Sequence, residues 1–252
     1  MGFLHAGHLS LVDEARRRSD FVVLSIFVNP LQFGPKEDLA RYPRDPEGDA
    51  SKAESRGVDL LFTPRQDEMY PGKRRVDVVP RELDARWEGA VRPGHFAGVL
   101  TVVAKLFNIV QPDVALFGQK DVQQATLIKA MVHDLDVPTE IVVVPTAREP
   151  DGLAMSSRNS YLSDDDRRRA TVLSGTLFTI RDAFRTGERD VSKLMAQGQR
   201  MLAAEPAVAV DYLALVDSAT LEPAVRASDD TVAMIAARVG KTRLIDNLIL
   251  GA

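Results

Sequence analysis

The 252-residue chain carries 45% hydrophobic and 27% charged side chains, a net charge of −4 and no cysteine, a profile of one or two globular domains with enough length to bury a core. The missing cysteines exclude disulfides, thiolate zinc sites and cysteine nucleophiles, and they fit a reducing cytoplasm. The charge balance gives no nucleic-acid surface: Arg16-Arg17-Arg18 and Arg167-Arg168-Arg169 lie beside acids in helical patterns and read as solvated faces. The longest apolar runs, such as Phe21 to Val28, fall far short of the roughly 20 residues that span a bilayer.

The opening MGFLHAGHLSLV has neither the basic start nor the apolar run of a targeting segment. It reads as a Gly-rich turn entering an amphipathic helix from about Gly7 to Arg18. Phe21 to Val28 then reads as a strand buried on both faces. A helix follows near Asp45 to Arg56, then a strand at Val58 to Phe62. The spacing next predicts a helix at Phe96 to Val110, a strand at Val114 to Phe117, a helix at Val122 to Leu135 and a strand at Glu140 to Val144. Strands alternating with helices imply a doubly wound parallel α/β sheet. Beyond about residue 146 the pattern changes to helices near Asp164 to Thr186 and Val191 to Ala204. Strands at Val208 to Leu215, Val232 to Arg238 and Thr242 to Leu250 follow, the last two joined as a hairpin through Val239-Gly240-Lys241. The expected architecture is thus an α/β domain, residues 1–146, followed by a smaller α+β domain, residues 147–252.

Ligands of an open parallel sheet sit outside the carboxyl ends of its strands. The segments there are Asn29 to Phe33, Gly118-Gln119-Lys120-Asp121 and Pro145-Thr146-Ala147-Arg148, with Gly2 to His8 completing the set if a strand precedes it. His5 and His8, three residues apart at a helix start, can share one face, where the helix dipole and free N–H groups favour phosphate. Two other readings stay open: a pair of solvated histidines, and a zinc site needing a third ligand such as His95. Lys120 offers a phosphate contact and Asp121 a ribose or metal contact; the competing reading is a turn with a solvated lysine. In Asp151 to Ser160, small hydroxyl residues beside Gly152 and Arg158 make a mobile loop suited to a polyphosphate, or a domain linker. Gln32 and Gln124 suit a small carboxylate or hydroxyl.

HAGH resembles the His-x-Gly-His signature of the nucleotidyltransferases that take adenylyl groups from ATP, and Met155-Ser156-Ser157-Arg158 resembles their second phosphate loop. The stretches VVLSIFVNPLQFGPKEDLARYPR, RPGHFAGVLTVVAKLFNIVQPDVALFGQKDVQQ, VPTAREPDGLAMSSRNSYLS and TRLIDN narrow the resemblance to the pantoate-β-alanine ligases and cover almost the whole chain. That resemblance implies a Rossmann-like domain with a C-terminal lid domain, and a cytoplasmic, homodimeric ligase. Pantoate attacks the α-phosphorus of ATP, pyrophosphate leaves, and β-alanine then displaces AMP to give pantothenate. Nucleic acid and membrane are not among the implied partners. By the same resemblance, ATP is held by Met1, Gly2, Phe3, Leu4, His5, Ala6, Gly7, His8, Gly118, Gln119, Lys120, Asp121, Ala147, Met155, Ser156, Ser157 and Arg158, and pantoate by Gln32 and Gln124. His8, with His5, Lys120, Ser156, Ser157, Arg158 and magnesium, stabilises the charge of the departing pyrophosphate.

Three departures from the family pattern carry expectations. Gln119 stands where the family often has Glu and, being neutral, is not expected to bind metal. The segment after Tyr42-Pro43-Arg44, where some members place carboxylates for magnesium, reads Glu47-Gly48-Asp49. At the front, the buried strand ending Pro-Thr that leads into Met-Gly in the family is expected to be missing. The other functions in view are therefore an impaired, truncated member and another adenylyltransferase. Arg92 and His95 receive no role from the sequence.

Overall fold

The computed structural model describes residues 2–35 and 37–252; Met1, expected above at the ATP site, lies outside them. The chain divides into two compact units. One runs to Gly118 and resumes over Gln123–Val144; the other joins Gln119–Val122 to Pro145–Ala252.

The first unit alternates helices with short strands: α1 (Ala6–Arg18), β1 (Val23–Ser25), α2 (Pro46–Ser55), β2 (Leu60–Phe62), α3 (Gln66–Met69), α4 (Trp87–Val91), α5 (His95–Val110), β3 (Val114–Gly118), α6 (Val122–Asp134) and β4 (Glu140–Val144). The expected parallel pairing is present, with β1 beside β2 (Val23 opposite Leu60) and β3 beside β4 (Val114 opposite Glu140). Among the described residues each ladder has two strands, and β3 is half-buried along its length rather than sealed on both faces. The expected strand from Phe21 to Val28 shrinks to Val23–Ser25. Phe21 turns 63% of its surface to solvent, and the ladder is set from Val22 instead: its carbonyl accepts from the N–H groups of Asp59 and Leu60, and its own N–H donates to the Asp59 carboxylate.

The core of this unit is the apolar stripe of α5. Phe96, Val99, Leu100, Val103 and Phe107 meet Leu127, Ile128 and Met131 of α6, with Met69 of α3 closing the end. Side chains of this size contribute roughly 1.5–3 kcal/mol each when fully buried. The short helices α3 and α4 were not foreseen: at four and five residues they are too brief to print a helical period.

The second unit is the anticipated α+β arrangement. Helices α7 (Asp164–Arg185) and α8 (Val191–Ala203) precede an antiparallel sheet of β5 (Val208–Asp217), β6 (Thr231–Val239) and β7 (Thr242–Ile249), with β6 in the centre. Every β6 residue but Arg238 is buried. Leu173, Leu177 and Ile180 of α7 and Leu194 of α8 share a core with Ile235, Ala237 and Val239. The predicted hairpin closes through Gly240-Lys241, Gly240 supplying the left-handed backbone (φ 56°) such a turn demands.

Candidate active site

The opening turn is built around Asp49, a carboxylate noted in the sequence only within the segment where some family members hold magnesium. Asp49 on α2 is 1% exposed, and its two oxygens accept the backbone N–H groups of Phe3 (2.7 Å) and Leu4 (2.6 Å). Phe3 is held in the left-handed region at φ 54°, which costs a residue with a Cβ on the order of 1–2 kcal/mol. Two residues on, His5 is the N-cap of α1: its Nδ1 accepts the Gly7 N–H at 3.1 Å, and the Nδ1 of His8 accepts the His5 N–H at a longer 3.4 Å. The two rings lie 4.0 Å apart between centroids. With both Nδ1 atoms accepting, a neutral imidazole carries its proton on Nε2. The histidines are thus N–H donors gathered at the positive end of a 13-residue helix, a place that attracts an anion. Among the described residues no group of three or more His, Asp or Glu side chains could hold a metal ion.

A second cluster fixes the turn Asn29 to Phe33. Asn29 is buried; its Oδ1 accepts the Leu31 N–H and the Tyr70 hydroxyl, while its amide donates to Gln32 Oε1 (3.1 Å) and to the Gly98 carbonyl (3.0 Å). Burial pushes the Tyr70 phenol up to about 12, so it stays a donor to Asn29 throughout the neutral range. The Gln32 carbonyl accepts from His95 Nδ1 (2.8 Å) and from the Arg92 guanidinium (3.2 Å), which also reaches His95 Nε2 and grips Glu37 through two N–H donors. Arg92 and His95 thereby seat the turn that carries Gln32. Gly98 completes the seat, because a Cβ there would stand 2.3 Å from the Leu31 carbonyl oxygen. Gly98→Ala is expected to lower the unfolding free energy by about 1–3 kcal/mol in a denaturant titration; an unchanged midpoint would mean that the turn steps aside freely.

On the first turns of α6 two neighbouring glutamines divide their work. Gln123 is buried, accepts the Glu88 N–H and donates to the Leu83 and Arg86 carbonyls. Gln124, the one expected to meet substrate, is half-buried, and Gly118 ends β3.

In the second unit the turn Gln119–Asp121 is a 3₁₀ helix whose Gln119 and Lys120 carbonyls accept from the Asn247 amide at 3.0 and 2.8 Å. The stretch from Ala147 to Met155, which takes in the first half of the segment Asp151 to Ser160 expected as a mobile loop or a domain linker, is a closed hairpin. Arg148 bridges Ala154, the Met155 N–H donates to the Ala147 carbonyl, and the Glu149 N–H donates to the Leu153 carbonyl. Arg148 also meets Asp246 through two N–H donors at 2.7 and 3.0 Å. Desolvation pushes the Asp246 carboxyl above its ordinary value while this guanidinium pulls against it. Beyond the hairpin, Ser156 caps a 3₁₀ turn, Ser157–Tyr161, its Oγ accepting the Arg158 N–H; Ser157 is buried and Arg158 half-buried.

The structure thus gathers His5 with His8 in the first unit, and Ala147 with Met155 in the second. Asn29, Tyr70, Asp246 and Asn247 are the functional candidates that sequence reasoning missed, and for Asp49 it missed the role. The signal available for Asp246 and Asn247 was an acid or amide at a position whose neighbours by period are apolar.

A sequence model of the family described as pantoate-beta-alanine ligase matches residues 1–249. The chain is 53% identical to the pantothenate synthetase of Trichlorobacter lovleyi, over 100% of this chain and 89% of that protein. Against the pantothenate synthetase of Acidobacterium capsulatum the identity is 54%, over 100% of this chain and 84% of that one. The crystal structure of the enzyme of the same name from Thermus thermophilus superposes with a TM-score of 0.97 at 50% identity, covering 100% and 91% of the two chains. The pantoate-beta-alanine ligase of Francisella tularensis, solved with beta-gamma ATP and beta-alanine, superposes with a TM-score of 0.82 at 35% identity, covering 100% and 88%.

Proposed function

The chain belongs to the pantoate-β-alanine ligase family, and from that premise we propose how its side chains divide the work of condensing pantoate with β-alanine at the expense of ATP. The observation that carries the assignment is the His5–His8 pair at the N-terminus of α1. Pantoate's carboxylate is already a nucleophile at neutral pH, so adenylation asks for alignment and charge stabilisation rather than a strong base. A pantoate oxygen bonds to the α-phosphorus, the bond from that phosphorus to the bridging oxygen breaks, and pyrophosphate leaves with the electron pair. His5 and His8 donate from Nε2 to phosphate oxygens whose charge grows in that step. Gly2 to Leu4, Ala6, Gly7 and Gly118 present backbone to the nucleotide. Lys120, Ser156, Ser157 and Arg158 supply further donors, and Gln119, Asp121, Ala147 and Met155 line the nucleotide.

Gln32, oriented by Asn29, and Gln124 hold pantoate. The amine of β-alanine then attacks the acyl carbon of the adenylate, loses a proton, and AMP departs. Magnesium enters as the counter-ion of ATP: Gln119 is neutral, both Asp49 oxygens are taken by backbone N–H groups, and the described residues hold no cluster of three metal-ligating side chains.

We read the enzyme as a cytoplasmic homodimer on the strength of the family resemblance; sedimentation of the purified chain would expose a monomer. No helix among the described residues is long and apolar enough to cross a membrane.

The direct test is pyrophosphate and AMP release with each substrate omitted in turn. Pyrophosphate should require pantoate and ATP alone, and AMP release should require β-alanine as well. Gln32→Leu should raise the KM for pantoate by about tenfold or more and leave that for ATP unchanged, since a buried hydrogen bond to a charged group carries about 1.5–3 kcal/mol. Pyrophosphate release indifferent to pantoate would refute the assignment.

A further inference from the structure

Asp246 and Asn247 interrupt a strand that is otherwise apolar from Leu244 to Ile249, yet they are only 3% and 2% exposed. Buried polar side chains are costly unless their hydrogen bonds are met; beyond the Asn247 N–H that Asp246 Oδ1 accepts at 2.7 Å within the strand, the partners of both come from loops. Asn247 gives its amide to the carbonyls of Gln119 and Lys120, and its Oδ1 accepts from Gln119 Nε2 at 3.3 Å. Asp246 holds the Arg148 guanidinium, which also donates to the carbonyls of Gly152 (3.1 Å) and Asn247 (3.2 Å). Consecutive strand residues point to opposite faces, so two adjacent positions govern two separate segments. The effect on the first is visible in the domain division, where Gln119–Val122 groups with the C-terminal unit although the chain on both sides of it belongs to the other.

We propose that Asp246 and Asn247 are positioning residues for the nucleotide. Asn247 fixes the backbone that aims Lys120; Asp246, through Arg148, fixes the hairpin that leads into Met155–Arg158. The inference rests on the reading that Lys120 and Ser156 to Arg158 meet the phosphates of ATP. A purely structural pair would affect folding but not discriminate between substrates.

The test compares Asn247→Leu, Asp246→Asn and Lys120→Ala in the enzyme, measuring KM for ATP and for pantoate by pyrophosphate release, with melting temperatures alongside. Asn247→Leu and Asp246→Asn should each raise the KM for ATP about tenfold, the effect of losing one to two good hydrogen bonds, while the KM for pantoate stays within about twofold. Adding Asn247→Leu to Lys120→Ala should cost less than the sum of the two, because both act through one side chain. Should Asn247→Leu fail to fold, Asn247→Ser carries the same expectation. A lowered melting temperature with an unchanged KM for ATP overturns the proposal if Lys120→Ala does disturb ATP use. If Lys120→Ala leaves ATP kinetics untouched, the assignment of Lys120 itself is wrong and the Asn247 half falls with it.

Discussion

Replacing His8 by alanine is expected to slow pyrophosphate release from ATP and pantoate by about 10²–10³-fold, the cost of removing one donor aimed at charge that develops in a transition state. The KM for pantoate should hardly move, because Gln32 sits on a different turn, seated by Asn29, Arg92 and His95. The substitution also removes the His8 Nδ1 acceptor from the His5 N–H, but that contact is long at 3.4 Å, and losing a cap costs only about 1 kcal/mol of stability. Rate and stability therefore part company in this variant. Pyrophosphate release at the wild-type rate would remove His8 from the phosphate site; a melting temperature far below that of the parent would mean its role is to hold the turn.

Asp49→Ala is expected to have the larger effect on stability. It leaves the N–H groups of Phe3 and Leu4 without the acceptor that now serves both, at about 1–3 kcal/mol for each orphaned buried donor. It also frees Phe3 from the left-handed backbone that the carboxylate holds. A loss of about 3 kcal/mol, or roughly 6–12 °C in melting temperature for a domain of this size, is the anticipated reading. Asp49→Asn keeps one acceptor and turns an NH₂ toward the other donor, so it should fall between alanine and the parent. Since His5 follows directly on this segment, adenylate formation should decline in the same order. An Asp49→Ala protein that melts with the parent would show that water replaces the carboxylate without penalty.

What the chain disclosed in advance was local. The histidine pair, the α5 stripe and the Gly240 hairpin each lie within a few residues of sequence, where helical or strand period and turn chemistry act directly. The partners that hold the site together are remote. Asp49 reaches Phe3 across 46 positions, and Asn247 reaches Gln119 across 128. Such bonds depend on how the elements are stacked, which periodicity does not encode. Even so, each left a trace: Asp49 shares the buried face of α2 with Ala53, and Asp246-Asn247 break an apolar strand. A polar residue where the period calls for an apolar one is a sign that something far along the chain comes to meet it. The reading of Asp151 to Ser160 as a mobile loop left out, for the same reason, the hairpin from Ala147 to Met155 that its first half completes. Its polar composition was visible, but not the backbone bonds that close it or the Arg148–Asp246 pair that anchors it.

The missing side chain at Gly98 has an evolutionary consequence. Because α5 meets the Leu31 carbonyl through bare backbone, a lineage that acquires a larger residue at 98 must remodel the turn that orients Gln32 before it can keep the change. Drift in the helix and drift in the turn are therefore tied, and a chimera joining the two segments from distant relatives would inherit a helix cut for a different turn.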